Sequence, residues 1–225
     1  MNSKLSTLLS YLTTLLTPIV LLGLGLRILL TPLFYNVEYR LPWFPPDNYG
    51  FTMADRLHWA PYAVDYLLNN ADISYLGDLT FENGSPLYNE RELSHMHDVK
   101  VVTKGALRVW YMAVVLIVGL GIWARYGNWW QAFREGLRRG GWLMIGLVVA
   151  IGLFGAIAFW QLFRLFHALF FQGDSWMFAY SDTLIRLFPI RFWEDAFLWA
   201  GVISVGGALA LALGLRVKPS QSKTD

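Results

Sequence analysis

The feature that most constrains this chain is a set of four apolar runs, each long enough to cross a lipid bilayer. A hydrocarbon core of about 30 Å takes roughly 20 helical residues. Hydrophobic residues make up 56% of the 225-residue sequence and charged residues only 15%, whereas a soluble domain carries roughly 25% charged residues. The runs, which predict four membrane-spanning helices, cover about residues 5–33, 105–124, 142–163 and 193–215.

The charges between these runs predict the orientation of the helices. Basic residues are in excess in the connection between spans two and three and in the C-terminal tail, at Arg125, Arg134, Arg138, Arg139, Arg216, Lys218 and Lys223. Segments of this kind remain in the cytoplasm, so both termini are predicted to be cytoplasmic. The segment from residue 34 to residue 104 is acidic and is predicted to lie outside the cell membrane.

Together these patterns predict an all-α membrane protein that forms a single integral membrane domain over residues 1–225. Its expected architecture is a four-transmembrane-helix bundle with a mostly helical extracytoplasmic cap between helices one and two. Within the cap, residues 52–68 predict one or two short amphipathic helices interrupted at Pro61. The pair Asn83-Gly84 predicts the turn of a small hairpin.

Composition also excludes several classes of function. The formal charge of +2 is small and the basic residues are scattered, so no nucleic-acid partner is expected. Cysteine is absent, which excludes a disulfide framework, a thiol nucleophile and a cysteine-based zinc site. The interiors of spans two, three and four lack the ionisable residues that a solute pathway needs. The sequence does not indicate an oligomeric state.

Two of the four histidines fall near the predicted outer membrane boundary. Counting at about 1.5 Å per residue places His95 roughly 15 Å beyond Gly105, and His167 about 9 Å beyond Gln161, where span three leaves the core. An imidazole pair at this depth can take a proton from an attacking amine or hydroxyl and deliver one to a departing alkoxide. Acyl transfer is therefore one interpretation, and two ordinary interfacial histidines bonded to their neighbours are the other.

The residues around His95 allow further interpretations. Asn89 and Glu92 have the spacing of a capping box, which predicts a helix that starts here and continues into span two. His97 does not extend the site to a metal centre, because residues two apart on a helix point about 200° away from each other. Asp98 is three residues after His95 and could orient its ring.

The segment after His167 carries polar and aromatic residues without an evident catalytic pattern. Ser175 lacks the strand-to-helix turn of a hydrolase nucleophile, and we interpret it as a loop or helix-cap residue. Trp176, Phe178 and Tyr180 are interpreted as an interfacial aromatic belt.

Residues 89–100 (NERELSHMHDVK) and 166–176 (FHALFFQGDSW) resemble the two signature blocks of the lipoprotein intramolecular transacylases, a bacterial family of four-span membrane proteins. The resemblance covers almost the whole chain and includes the Phe188-Pro189 turn and residues 192–195. It implies an enzyme that moves the sn-2 acyl chain of a diacylglyceryl-cysteine lipoprotein onto the cysteine's own α-amine, giving a lyso-form lipoprotein. No cofactor is then expected.

The resemblance also assigns the catalytic pair to His95 and His167, placed at the outer-leaflet interface among membrane lipids. Glu92, Asp98, Trp176 and Asp182 are the candidates for supporting residues. Two other functions remain open at this point. One is a phospholipid acyl hydrolase or transferase that uses the same pair, and the other is a non-enzymatic membrane assembly factor.

Overall fold

The computed structural model describes residues 2–215, and this part of the chain is helical apart from turns, loops and one isolated β-bridge. The predicted cytoplasmic tail with Arg216, Lys218 and Lys223 lies outside the described residues. The helices are α1 (Ser3–Leu29), α2 (Pro32–Glu38), α3 (Met53–Leu68), α4 (Ser74–Gly77), α5 (Glu90–Tyr126), α6 (Trp130–Phe170), α7 (Thr183–Leu187) and α8 (Ile190–Gly214).

Four of these helices, α1, α5, α6 and α8, are long and apolar enough to cross a membrane. The exposed surfaces of these helices are apolar, as a membrane-spanning helix requires. On α6, for example, Val149, Ile151 and Leu153 are exposed. A soluble monomer rarely exposes so continuous an apolar surface. The chain is therefore an all-α, multi-pass membrane protein, as predicted.

The ends of the long helices differ from the predicted spans. The first span was expected to reach residue 33, but α1 ends at Leu29 and Pro32 begins α2, because proline lacks an N–H and disfavours helix in the residue before it. Helix α6 starts at Trp130 and ends at Phe170, well outside residues 142–163. Hydropathy detects only the part of a helix that crosses the lipid. Arg134, Arg138 and Arg139 precede that part, and because arginine is a good helix former the helix begins before them.

The described residues form two compact units. The first contains the residues up to Gly25, Val109–Gly152 and those from Ala200 onward. Its α1 and α6 meet through small and polar residues: the Ser10 hydroxyl donates to the Ala132 carbonyl, and the Thr14 hydroxyl donates to the Gly136 carbonyl at 3.2 Å. Such close approach of backbones is the usual way in which membrane helices associate.

The second unit contains Leu26–Arg108 and Leu153–Trp199. Helices α3, α4 and α7 and the start of α5 share one apolar core, which includes Ala63, Tyr66, Leu76, Leu87, Tyr88, Met96, Leu184 and Leu187. The Arg56 guanidinium donates to the carbonyl oxygens of Pro45 at 2.8 Å and Arg186 at 3.0 Å. This arginine thereby holds both the segment around Pro45 and α7 against α3.

The local predictions within this second unit had mixed outcomes. The hairpin is confirmed, since Thr80 pairs with Pro86 and Gly84 occupies the turn with a φ of 80°. The interruption at Pro61 is wrong: α3 is one helix that contains this proline. A capping box between Thr52 and Asp55 starts the helix, and burial of Ala60, Ala63 and Tyr66 offsets the backbone hydrogen bond that proline cannot make.

Two glycines on α6 test how closely this helix packs in the first unit. A methyl group on Gly140 would overlap the Thr17 side chain and lie 2.9 Å from the Thr14 carbonyl oxygen, whereas nothing lies within 4 Å of a methyl group on Gly146. We expect Gly140→Ala to lower the free energy of unfolding by about 1–3 kcal/mol because overpacking shifts both helices. Gly146→Ala, the matched control, should leave it unchanged or raise it slightly.

Thermal unfolding of both variants in detergent checks this expectation. Equal melting temperatures for Gly140→Ala and the wild type would contradict the close packing of α6 against α1.

Candidate active site

The start of α5 fixes the position of the first histidine. Asn89 Oδ1 accepts the Glu92 N–H at 3.0 Å, and a Glu92 carboxylate oxygen accepts the Asn89 N–H at 2.8 Å. This is the predicted capping box, which satisfies two backbone donors at the helix start. His95 follows Glu92 by about one helical turn, so the cap and the histidine lie on one side of α5.

Glu92 also joins α5 to α7. Its second carboxylate oxygen accepts the Leu184 N–H at 2.7 Å, and the neighbouring Thr183 hydroxyl donates to the Leu87 carbonyl. The Glu92 side chain is buried, with 1% of the residue exposed. A buried carboxylate is costly unless donors surround it, so Glu92 stabilises this junction only while these backbone groups stay in place.

The second histidine lies near the end of α6. This helix has a non-helical residue at Ala158, with φ −146° and ψ 54°, and the kink sets the direction of the last three turns, which carry His167. The His95 and His167 ring centroids are 6.1 Å apart and the ring planes differ by 22°. Each residue is only 8% exposed. The two predicted catalytic histidines thus face each other in a largely buried site.

Aromatic side chains enclose the pair. The His95 ring centroid is 5.0 Å from Phe171 and 5.3 Å from Phe178, and the His167 ring centroid is 4.2 Å from Phe163 and 4.5 Å from Trp176. Trp176, a candidate supporting residue, and Phe178 thus pack on the histidines, which the interpretation as an aromatic belt did not predict. Tyr180 is exposed. The enclosure keeps bulk water away from the two rings.

The hydrogen bond of His167 defines how its ring can act. Its Nδ1 lies 2.8 Å from the Phe163 carbonyl oxygen. Since a carbonyl oxygen can only accept, we place the ring proton on Nδ1, which leaves the lone pair of a neutral imidazole on Nε2. His167 is thereby oriented as a proton acceptor at Nε2.

His95 has a different environment. Its Nδ1 is buried and has no hydrogen-bond partner among residues 2–215. A buried polar atom without a partner is uncommon and is often found at functional sites. This nitrogen is available to a bound substrate or to a water molecule that occupies the site.

The remaining candidate residues from the sequence do not contact the two histidine rings through a hydrogen bond or an ion pair within residues 2–215. No hydrogen bond or ion pair in the described part of the chain joins Asp98 to His95, and His97 is exposed on another face of α5. Asp182 accepts the Ala179 N–H at 2.8 Å and shapes the loop before α7. The Ser175 hydroxyl lies 3.5 Å from the Gln172 carbonyl, which agrees with a loop residue.

A buried acidic pair in the same unit, Glu38 and Asp195, was not predicted from the sequence. Glu38 is 0% exposed and lies next to Asp195, which accepts two bonds from Arg191, at 2.7 and 2.8 Å, and one from the Trp43 indole at 3.3 Å. Burial first, and then the Asp195 carboxyl group, raise the pKa of Glu38 to about 8. This environment favours the neutral form of the Glu38 carboxyl group. Glu38 is the last residue of α2, and no sequence pattern distinguishes it from an exposed glutamate.

The fold and the site define a class of protein, namely multi-pass α-helical membrane proteins with a buried, aromatic-enclosed histidine pair. The model of the family "Lipoprotein intramolecular transacylase Lit" matches residues 11–193. The chain belongs to this family, so it is a membrane acyltransferase that acts on lipoproteins.

Known proteins similar to this chain support the assignment. An uncharacterized protein of Aquifex aeolicus is 28% identical over 211 residues, covering 92% of this chain and 94% of that protein. The in meso structure of the membrane integral lipoprotein intramolecular transacylase Lit from Bacillus cereus matches with a TM-score of 0.71 at 20% identity, over 93% of this chain and 94% of that one. A structure of the same protein with one histidine replaced by arginine matches with a TM-score of 0.69 at 20% identity, over 95% of this chain and 91% of that one. At this identity the structures show a shared fold.

The junction made by Glu92 gives a test of how the site is held. In Glu92→Gln one of the two backbone N–H groups faces an amide NH₂ instead of an oxygen, and we expect a loss of about 1–3 kcal/mol in the free energy of unfolding. Amide hydrogen exchange at Leu184 should also become faster. Glu90→Gln, on an exposed residue of the same helical turn, is the control and should change neither quantity.

Unchanged exchange at Leu184 in Glu92→Gln would show that this carboxylate does not hold α7 to α5.

Proposed function

We propose that this transacylase moves the sn-2 acyl chain of a diacylglyceryl-cysteine lipoprotein onto the α-amine of the same cysteine, giving the lyso-form. The observation that carries the proposal is the paired approach of His95 and His167, with ring centroids 6.1 Å apart, in a buried aromatic enclosure. An ester-to-amide transfer needs one proton removed and one delivered, and two imidazoles at one site supply both steps.

The hydrogen bond of His167 supports a division of roles in which His167 is the base and His95 the acid. The neutral α-amine attacks the ester carbonyl carbon, and Nε2 of His167 takes the proton that the nitrogen loses, because Nδ1 already donates to the Phe163 carbonyl. His95 delivers a proton to the glyceryl oxygen as the carbon–oxygen bond breaks. The amide bond forms and the sn-2 oxygen becomes a hydroxyl. Transfer of the gained proton from His167 back to His95, whose ring faces it, restores both imidazoles, so no net proton is gained or lost.

Two features of the site favour transfer over hydrolysis. The amine and the ester belong to one molecule, so the site needs only to hold them in the correct geometry, which contributes several kcal/mol to a lower barrier. The aromatic enclosure around the histidines excludes water, the competing nucleophile. The alternative of a phospholipid hydrolase would need a path for water to the same rings.

The site is proposed to lie at the outer-leaflet interface, with both chain termini in the cytoplasm. Two arguments support this orientation. The basic residues near the α5–α6 turn favour the cytoplasmic side, and His95 and His167 lie at the opposite ends of these two helices. Lipidated lipoproteins then reach the pair from the outer leaflet.

Mass spectrometry of a reporter lipoprotein tests the proposal directly. The reporter is made in a host that leaves the α-amine free, with wild-type protein, His95→Ala, His167→Ala or, as control, His97→Ala on the exposed face of α5. We expect N-acyl monoacylglyceryl cysteine with the wild type and His97→Ala, and a loss of about 10²-fold or more with either of the other variants, as general acid–base catalysis contributes.

A reporter that stays diacylglyceryl with a free amine in the presence of the wild type would refute the proposed reaction. Accumulation of free fatty acid instead would favour the hydrolase. Full product with both His95→Ala and His167→Ala would remove the histidine pair from the mechanism.

A further inference from the structure

A cavity lies along the last turns of α6 and the loop that follows. It is open to the surroundings, and its volume is about 700 Å³. Phe171 and Trp176 line one side of it, and Gln161, Arg164, Gln172 and Asp174 provide polar groups. A volume of this size is typical of sites for small molecules or short peptide segments.

The cavity shares its aromatic wall with the histidine site. Phe171 lies 5.0 Å from the His95 ring and 5.6 Å from the His167 ring, and Trp176 lies 4.5 Å from the His167 ring. A group that occupies the cavity is therefore separated from the histidines by one layer of side chains. Because the two sites share Phe171 and Trp176, a substrate that reacts at the histidines can place another part of itself in the cavity.

The polar groups of the cavity are not satisfied by the protein. Arg164 and Gln161 are three residues apart and so share one face of α6. In the described part of the chain, neither the Arg164 guanidinium nor the Asp174 carboxylate makes a hydrogen bond or an ion pair. Both residues are exposed, so their charged groups are free to bond to a molecule that enters the cavity.

The composition of the polar groups indicates the chemistry of that partner. One cation and one anion leave the cavity without net formal charge, and Asp174 would repel a phosphate. Two carboxamides, a guanidinium and a carboxylate together offer both donors and acceptors. A peptide backbone presents the same mixture of N–H and C=O groups, whereas a lipid phosphate presents acceptors alone.

We propose that this cavity binds the first peptide residues that follow the lipidated cysteine of the substrate, with Arg164 and Asp174 bonding to the peptide. The inference rests on the proposed transacylase function. Binding the peptide here anchors the substrate beside the aromatic wall, so that the lipidated cysteine is held next to the histidine site while its peptide stays in the cavity. The cavity thus determines which lipoprotein N-termini are good substrates, while the histidines carry out the transfer.

Two synthetic substrates separate peptide binding from chemistry. One is a diacylglyceryl-cysteinyl pentapeptide amide and the other is diacylglyceryl-cysteine amide, which has no peptide; both are presented in vesicles of a zwitterionic phospholipid. For Arg164→Gln and Asp174→Asn we expect the KM for the lipopeptide to rise about tenfold with little change in kcat, as the loss of a hydrogen bond to a charged group predicts. Both constants for the cysteine amide should stay at wild-type values.

Arg108→Gln, on an exposed arginine of α5 outside the cavity, is the control and should match the wild type with both substrates. Melting temperatures of all variants confirm that they are folded.

An unchanged KM for the lipopeptide in both variants would overturn the proposal. An equal loss with the two substrates would also overturn it, in favour of a lipid phosphate at Arg164. If the wild type acylates neither substrate, the proposed function itself fails, and that result is distinct from a failure of the peptide site alone.

Discussion

The interaction on which the site depends is the buried Glu92 carboxylate, whose two oxygens accept the N–H groups of Asn89 and Leu184. The first bond sets where α5 begins, and the second fixes α7 against it. Because helical periodicity then places His95 one turn further on, the cap and the active site are parts of one local structure. Thr183, which donates to the Leu87 carbonyl, strengthens the same junction. A carboxylate that only backbone donors satisfy couples the position of His95 to the folding of its surroundings.

Much of the fold could be predicted because each membrane-spanning helix makes its backbone hydrogen bonds internally. Such a helix is therefore recognised from a long apolar run in the sequence alone. All four spans and the start of α5 at Asn89 followed from such local signals. The helix ends did not, since α6 extends to Trp130 and Phe170 with residues that never cross the lipid core. Pro61 was misjudged for another reason. Tertiary burial of the neighbouring alanines and of Tyr66 outweighs the local preference of proline, and no local pattern reports tertiary burial.

The site could be predicted in part. Depth and family resemblance selected His95 and His167, but only the folded chain shows that their rings are 6.1 Å apart, because they come from separate helices. Trp176 and Phe178 were interpreted as part of an interfacial aromatic belt, although Trp176 was also a candidate supporting residue, since an aromatic residue near an interface gives the same sequence signal whether it faces lipid or a histidine ring. The buried pair of Glu38 and Asp195 also required the folded chain, as the two residues are far apart in sequence.

In the proposed mechanism, a dry aromatic site, His167 as the base and a neighbouring cavity accommodate a substrate that carries both reacting groups. The acyl chain and the amine that receives it then belong to the same lipoprotein. A crossover experiment tests this: lipopeptide labelled with heavy isotopes in both its sn-2 acyl chain and its peptide is mixed equally with unlabelled lipopeptide and treated with the enzyme. Intramolecular transfer predicts N-acylated products that are fully heavy or fully light, and products of mixed mass would contradict it.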